Sequence, residues 1–477
     1  MVDVEPALFV PHEVHLDAWT GQEPAAAPLS GQRGAWAIAP PVVPRISMLA
    51  PTPLDPTAWW DPRLGWGLIL PERPGLEPAQ LATADDAPEP IRDLFRARAD
   101  LPAKLLRYQA ERWRKYGTLR DYTSGGGDRP LTAPLGTQPG GLPAYLLIAA
   151  SPAEVPWQVQ SALNPARYVG RLDLDPDGLA RYVSALLSGW AGSQVRYDSP
   201  VVWSVDHGGE DITVLMRDAI GDPLYQAFRA DNQMPAASFV DGRMVVADTK
   251  ALRAALVEHH PAVVVTTSHG MTGPLDQPAA LAAQLGALVD AVHQPLRPED
   301  LLADWSPDGA VWFAQACCSA GATAPSLYQG LFDPDSMVAR VLDGVATVGP
   351  RTAPLPRALL GATRPLRAFI GHVEPTFDWT MAFPPTRQRL TGSLRTAIYT
   401  ELCAGRPAGY AMAGVYDAIG PSLFEFATAV RAYSDNPPGP ASDEALDLAL
   451  YHKVVAYDRA STVLLGDPTV AMPVPAG

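Results

Sequence analysis

Two cysteines, Cys317 and Cys318, stand side by side in the apolar run "VWFAQACCSAG", and 48 positions earlier (269 to 317) another apolar run, "VVVTTSHG", ends in His269 and Gly270. A thiol and an imidazole are the two halves of a nucleophilic dyad. A free thiol, with a pKa near ~8.5, is mostly protonated at neutral pH, and a neighbouring imidazole takes or stabilises that proton. Gly270 adds a backbone N–H that no side chain obstructs. With the amide of the nucleophilic cysteine it makes an oxyanion hole, each donor worth about 3 kcal/mol in the transition state. Taken alone, the cysteine pair reads as buried core. A vicinal disulfide needs a distorted ring, and adjacent thiols are not a zinc spacing. The His-Gly that ends the other run turns the reading to catalysis.

For such a dyad to form, the two runs must be neighbouring strands. "SPVVWSVD", "PAVVVTTSHG" and "GAVWFAQACCSAG" are short and almost uninterrupted in their apolar character, as in strands covered on both faces of a mainly parallel sheet. Helical stretches such as "EDITVLMRDAIGDPLYQAFRA" and "TKALRAALVEHH" separate them, which is the alternation of an α/β protein. Functional groups collect at the carboxyl ends of parallel strands. Three strand ends carry them here: Asp206-His207-Gly208-Gly209, Ser268-His269-Gly270 and Cys317-Cys318. At the first, a turn built by the two glycines accounts for His207 most simply.

The same alternation starts earlier, with "AYLLIAA", "PAEVPWQVQSAL", "ARYVGRLDL" and "DGLARYVSALLSGW", and gives a βαβα unit over residues 141–194. The catalytic core is expected over 195–416, and a C-terminal helix and final strand over 417–477. Residues 1–140 are rich in proline but hold Trp36, Trp59, Trp60 and Trp66, so they read as an ordered region packed on the larger body. Within them, residues 89–117 read as one helix with Leu94, Leu101, Leu105 and Leu106 on its apolar side.

Composition sets outer bounds. The 477 residues carry a formal net charge of -15, which repels nucleic acid and anionic membranes and suits cationic peptide substrates. Three cysteines fit a reducing compartment and no disulfide framework. The start "MVDVEPALFV" has acids where a signal peptide would be basic, so a cytoplasmic location is expected. The long uncharged stretches 130–153 and 309–332 read as loop and buried strand, not membrane spans. No G-x-S-x-G elbow, P-loop or G-x-G-x-x-G fingerprint follows a strand, which sets aside serine-hydrolase and nucleotide-binding readings.

The paired blocks "VVVTTSHG" and "VWFAQACCSAG" resemble the strand-His-Gly and strand-Ala-Cys blocks of the caspase-like cysteine peptidases. "AYLLIAASPAEVPWQVQSALNPARYVGRLDLD" and "LLGDPTVAMPV" are more similar to bacterial members of the gingipain or CHAT type. The resemblance covers residues 142–474. It implies a caspase-like α/β/α sandwich with the Pro-rich region packed on it, and a cysteine endopeptidase working through an acyl-enzyme thioester. Cys317 would attack, His269 would manage protons, and the amides of Gly270 and Cys317 would hold the oxyanion. The family's cysteine follows Gln-Ala, as Cys317 follows Gln315-Ala316. Cys318 is the alternative nucleophile, because "CSAG" read from it restores a glycine that the other register lacks. Carried over by position, the pocket for the residue before the scissile bond is drawn from Asp206, Glu210, Asp211, Gln315, Glu374, Asp378 and Trp379. These carboxylates suit a substrate arginine or lysine. Protein or peptide substrates and a regulatory protein partner are the expected partners. No metal or organic cofactor is required, and calcium activation, known among metacaspases, stays open. The rival readings are a non-catalytic caspase-like scaffold and a transferase or ligase of the same fold.

Overall fold

Valine-rich runs bounded by glycine, proline and aspartate become strands, and what matters for the site is which strand ends they bring together. The computed structural model describes residues 13–38, 54–99, 101, 103–123 and 126–474. In chain order the first strands are β1 (Glu13–Trp19), β2 (Pro24–Pro28), β3 (Trp66–Pro71), β4 (Ala103–Tyr108), β5 (Thr118–Asp121), β6 (Gly127–Pro130), β7 (Tyr145–Ala149) and β8 (Tyr168–Leu172). Then come β9 (Val201–Ser204), β10 (Ser238–Asp241), β11 (Val263–Thr267), β12 (His269–Met271), β13 (Leu288–Val289) and β14 (Val311–Gln315). The last are β15 (Gly321–Ala322), β16 (Arg351–Thr352), β17 (Ala368–His372), β18 (Ala382–Phe383), β19 (Gln388–Arg389) and β20 (Thr462–Leu465).

Twelve of these strands form one sheet in the order β10-β9-β11-β14-β17-β20-β8-β7-β3-β4-β5-β6. It is mostly parallel. The exceptions are the β17–β20 pair and the edge made by β4, β5 and β6. Strands β9, β11, β14 and β17 are buried along their whole lengths, as parallel strands covered by connecting helices must be. β20 is the joint of the sheet. It runs antiparallel to β17 and parallel to β8, so the last strand of the chain ties the unit containing residues 141–194 to the strands that end in His269 and Cys317.

Two expectations need correction. Residues 89–117 are not one helix but the helix Glu89–Ala97, strand β4 and the helix Ala110–Tyr116. Pro102 disfavours helix at the residue before it. Leu105 and Leu106 then enter two different apolar clusters, as successive residues of a strand do. Nor is the Pro-rich region only packed on the body: β3 to β6 extend the main sheet, and β1 and β2 pair with β12 and β13 in a second, four-stranded sheet. Among the described residues no helix is long and apolar enough to cross a membrane.

Arg98 locks the N-terminal region to the end of the chain. Its guanidinium lies against Trp59 and Trp66, 4.8 and 4.4 Å from the ring centroids, and bonds Asp467 at 3.0 Å and Thr469 at 3.0 Å in a buried site. Removing one partner of a buried pair leaves the other charge uncompensated. Arg98→Ala should therefore lower the unfolding free energy by about 3–5 kcal/mol. Denaturant titration checks this, and a loss under about 1 kcal/mol would place the pair among weak surface bridges.

Candidate active site

β11 and β14 are adjacent and in register, with Thr267 opposite Gln315. Both chains leave the sheet there, and Ser268 N–H still reaches the Gln315 carbonyl at 3.2 Å. After Gln315 the chain turns tightly: Ser319 N–H donates to the Ala316 carbonyl at 3.2 Å and Gly321 N–H to the Cys318 carbonyl at 3.0 Å. Cys318 takes the left-handed conformation at φ 55°, a strained state for a residue with a side chain. Ser319 fixes the turn, its hydroxyl donating to the Ala314 carbonyl at 3.1 Å and accepting from His372 N–H at 3.0 Å. This gives Ser319 a structural role on the site loop.

Both thiols are fully buried in an apolar cluster with Val14, Leu16, Tyr328, Phe377 and Trp379. Cys317 Sγ lies 3.6 Å from Cys318 Sγ. Burial, aided by the hydrogen bond to Cys318, pushes the Cys317 thiol well above its ordinary value, so in this state it is protonated.

His269 opens β12. Its Nε2 lies 2.9 and 3.1 Å from the two carboxylate oxygens of Asp211. Burial acts to raise the Asp211 pKa, but the hydrogen bonds from His269 and Thr213 outweigh it and hold the group well below the usual carboxylate range. A carboxylate only accepts, so Nε2 carries a proton and donates it to Asp211. Nδ1 is buried and has no hydrogen-bond partner. That is the nitrogen left to exchange protons.

Asp211 was expected in the substrate pocket. The structure instead makes it the partner that fixes the His269 tautomer, anchored as the residue before the helix Ile212–Met216 by a bond from Thr213 N–H at 2.9 Å. The sequence carries a helix-start signal at Asp211, an N-cap residue directly before an apolar run, but nothing that pairs it with His269.

His207 and His293 join the same cluster. The His207 ring stacks 5.7 Å from His269 and 4.6 Å from His293, and the Trp19 indole lies 4.0 Å from His293 in a parallel stack. Gly208 and Gly209 take positive φ, 74° and 60°, so the expected turn is there as well. Burial lowers His207 to about 4 and keeps its ring neutral.

The two loops meet backbone to backbone. A Cβ built on Gly270 would overlap the carbonyl oxygen of Cys317, and one on Gly286 would overlap that of Cys318. A third segment enters the junction. β1 runs parallel to β12, with Ala18 opposite Gly270 and Trp19 opposite Met271. Cys317 N–H donates to the Asp17 carbonyl at 3.3 Å. Thr272 N–H donates to the Trp19 carbonyl at 2.9 Å, and two residues back the alternation of a parallel ladder directs Gly270 N–H at the Asp17 carbonyl.

The remaining expected pocket residues divide. Gln315 donates to Thr376 Oγ1 at 3.1 Å and bonds His372 Nε2 at 3.1 Å. Thr376 in turn holds the Asp17 side chain, through its N–H at 3.0 Å and its hydroxyl at 2.7 Å. Glu374 accepts from Leu327 N–H and Ser326, and burial pushes it up to about 7. Asp378 is pushed up to about 6 by burial, and Trp379 is buried in the Cys317 cluster. Asp206 pairs with Arg243 at 2.9 Å, and Glu210 stands exposed to solvent. Sequence reading missed Asp458, on the helix Pro440–Ser461. It is raised to about 6 by burial, and one of its carboxylate oxygens is buried without a hydrogen-bond partner. With Gln315, His372, Thr380 and Arg459 it lines a small cavity.

Gly270→Ala tests the backbone junction. The methyl group has no room beside Cys317, so the unfolding free energy should fall by about 2–4 kcal/mol. Chemical denaturation decides it, and a change below about 0.5 kcal/mol would mean that the loops are not in contact.

A scan against protein-family models finds no match for this chain, and searches of curated proteins and of solved structures likewise find none.

Proposed function

We propose that the protein is a caspase-like cysteine endopeptidase with Cys317 as nucleophile, His269 as acid and base, and Asp211 positioning the imidazole. The observation that carries this reading is the peptide carbonyl received by the Cys317 amide beside the Gly270 backbone. Backbone N–H groups fixed at the ends of two adjacent strands are preorganised donors for an oxyanion. In the reaction the thiol passes its proton to His269 Nδ1 and sulfur adds to the carbonyl. The leaving amine takes the proton back, and water then cleaves the thioester. These steps require no metal ion, and calcium activation stays open.

The residue before the scissile bond is arginine or lysine in this reading. Its support is Asp458, a buried carboxylate with one unpartnered oxygen in a small cavity next to Gln315, where Arg459 is the cation already acting on it and a substrate cation would have to widen the space to pair with that oxygen. In this reading Gln315 stays a pocket residue, while the acidic role falls to Asp458.

A peptidyl acyloxymethyl ketone with arginine at its reactive end should label Cys317, as located by mass mapping. Labelling should vanish in Cys317→Ala and His269→Ala and persist in Cys318→Ala. Loss in Cys318→Ala with survival in Cys317→Ala would reverse the register. Asp211→Asn offers Nε2 no carboxylate and should lower kcat/KM for a fluorogenic arginine peptide by about 10²-fold or more. Asp458→Asn should reduce the preference for arginine over a neutral residue by about ten-fold or more, while the rate on the neutral peptide holds. An unchanged preference would place the specificity elsewhere.

A further inference from the structure

The segment on top of the nucleophile belongs to the chain itself. Resting on the peptidase reading, we propose that residues 13–19 lie in the substrate cleft as a built-in inhibitory strand, with Asp17 in the position of the residue before the scissile bond.

Four observations place it there. The Asp17 carbonyl sits on the Cys317 amide, with the Gly270 N–H directed at the same oxygen. On the amino side, Leu16 bridges antiparallel to Phe377, so the strand is paired through its backbone before Asp17. On the carboxyl side, Ala18 and Trp19 pair with β12, and Trp19 caps the histidine cluster. The Asp17 side chain enters the Gln315–Thr376 pocket, where its one hydrogen-bonding partner among the described residues is Thr376. Val14, Leu16, Asp17 and Ala18 are fully buried, as are Cys317 and His269 beneath them.

Peptide recognition by strand addition takes affinity from the backbone and specificity from side-chain pockets. Here the backbone fits and the side chain does not. Asp17 carries the same charge type as Asp458, which acts on it electrostatically. Cys317 and Cys318 from the site loop and Tyr328 also face it, and among the described residues no cation bonds it. Burial raises Asp17 to about 7, and the proximity of Asp458 adds to the rise that the Thr376 bonds partly offset. The docked strand therefore prefers a neutral Asp17. The stabilisation is complete below pH ~4 and is lost as pH rises from there through ~7, so the cleft opens toward neutral pH.

The sharpest test reverses the charge. Asp17→Arg turns the strand into a substrate. Cys317 sulfur adds to the carbonyl of residue 17, the C–N bond to Ala18 breaks with His269 protonating the departing amine, and water hydrolyses the thioester to a carboxylate and the free thiol. Intact mass should show a new N terminus at Ala18 in Asp17→Arg, none when Cys317→Ala is added, and none in the native chain or Asp17→Asn. An Asp17→Arg chain that hydrolyses added arginine peptides yet stays whole at residue 17 would overturn the proposal.

A second variant does not depend on that substitution folding well. A foreign protease site inserted between Gly21 and Gln22, in the exposed turn after β1, is cut after folding and the freed strand is removed by dialysis. Iodoacetamide should then alkylate Cys317 about ten-fold faster or more, with buried Cys403 unchanged as the internal control. An unchanged Cys317 rate overturns the inhibitory strand. Faster alkylation without any peptide hydrolysis supports the covering strand while the peptidase reading falls. The ratio of Cys317 alkylation rates, native over Asp17→Asn, should be near one at about pH 4, climb between about pH 4 and about pH 7, and level off above that. A flat ratio overturns the coupling to Asp17.

Discussion

Everything at the site depends on a close approach between two backbones, Gly270 against Cys317, where a side chain on the glycine would strike a carbonyl oxygen. β11 and β14 bring the two segments level, because Thr267 and Gln315 are the last paired residues of adjacent parallel strands. Beyond that point the sheet no longer holds them together. The glycines at 270 and 286 allow the histidine segment to stay packed on the cysteine loop, and Ser319 fixes that loop from below. The donors at the junction are amides, so their positions are set by the fold and not by rotamers. Preorganisation of that kind lets a hydrogen bond stabilise developing charge without reorganising at the moment of reaction.

Burial then governs the electrostatics. Asp17, Glu374, Asp378 and Asp458 are all raised by loss of water, and His207 and His372 are lowered by the same cause. Asp211 moves the other way because it accepts from His269 and Thr213. The interior around Cys317 thus holds one strongly acidic carboxylate, placed on the histidine, and several carboxyl groups that lose charge readily. An environment that disfavours isolated anions is a poor place for a thiolate and a good one for a cation that pairs with the carboxylates.

Strands and their ends were legible in the sequence because apolar runs of four to five residues between turn residues leave little alternative. The same holds for the His-Gly and Ala-Cys junctions, whose residue types state their chemistry. What could not be read was long-range. Asp458 lies in the last turn of its helix, some 140 residues after Cys317 in a stretch with no pattern of its own, and only the path of the helix Pro440–Ser461 into β20 brings it to the cavity beside Gln315. β1 was obscured by the proline-rich texture around it. Its alternation, Val14, Leu16 and Ala18 against Glu13, His15 and Asp17, is that of a strand, but nothing in seven residues tells which edge they join. The misread helix over 89–117 failed for a related reason, since adjacent leucines fit a helix face and a doubly covered strand equally well.

Under the proposed peptidase reading, the location of β1 also explains why an aspartate suits its place better than a good substrate residue would. A strand that pairs on both sides of the junction gains most of its hold from backbone bonds and from Val14, Leu16 and Ala18, whose burial does not depend on residue 17. A well-matched residue in the pocket would add affinity, but it would also orient the carbonyl for attack and lead to self-cleavage. A short acid that reaches Thr376 and stops leaves the Asp458 cavity unused and the strand only moderately held. Displacement then requires a competitor that pairs equally well along the backbone and adds a cation at Asp458. On this account the cleft is closed to peptides lacking that cation and open to those carrying it, so the inhibitory strand sharpens the selectivity that the pocket begins.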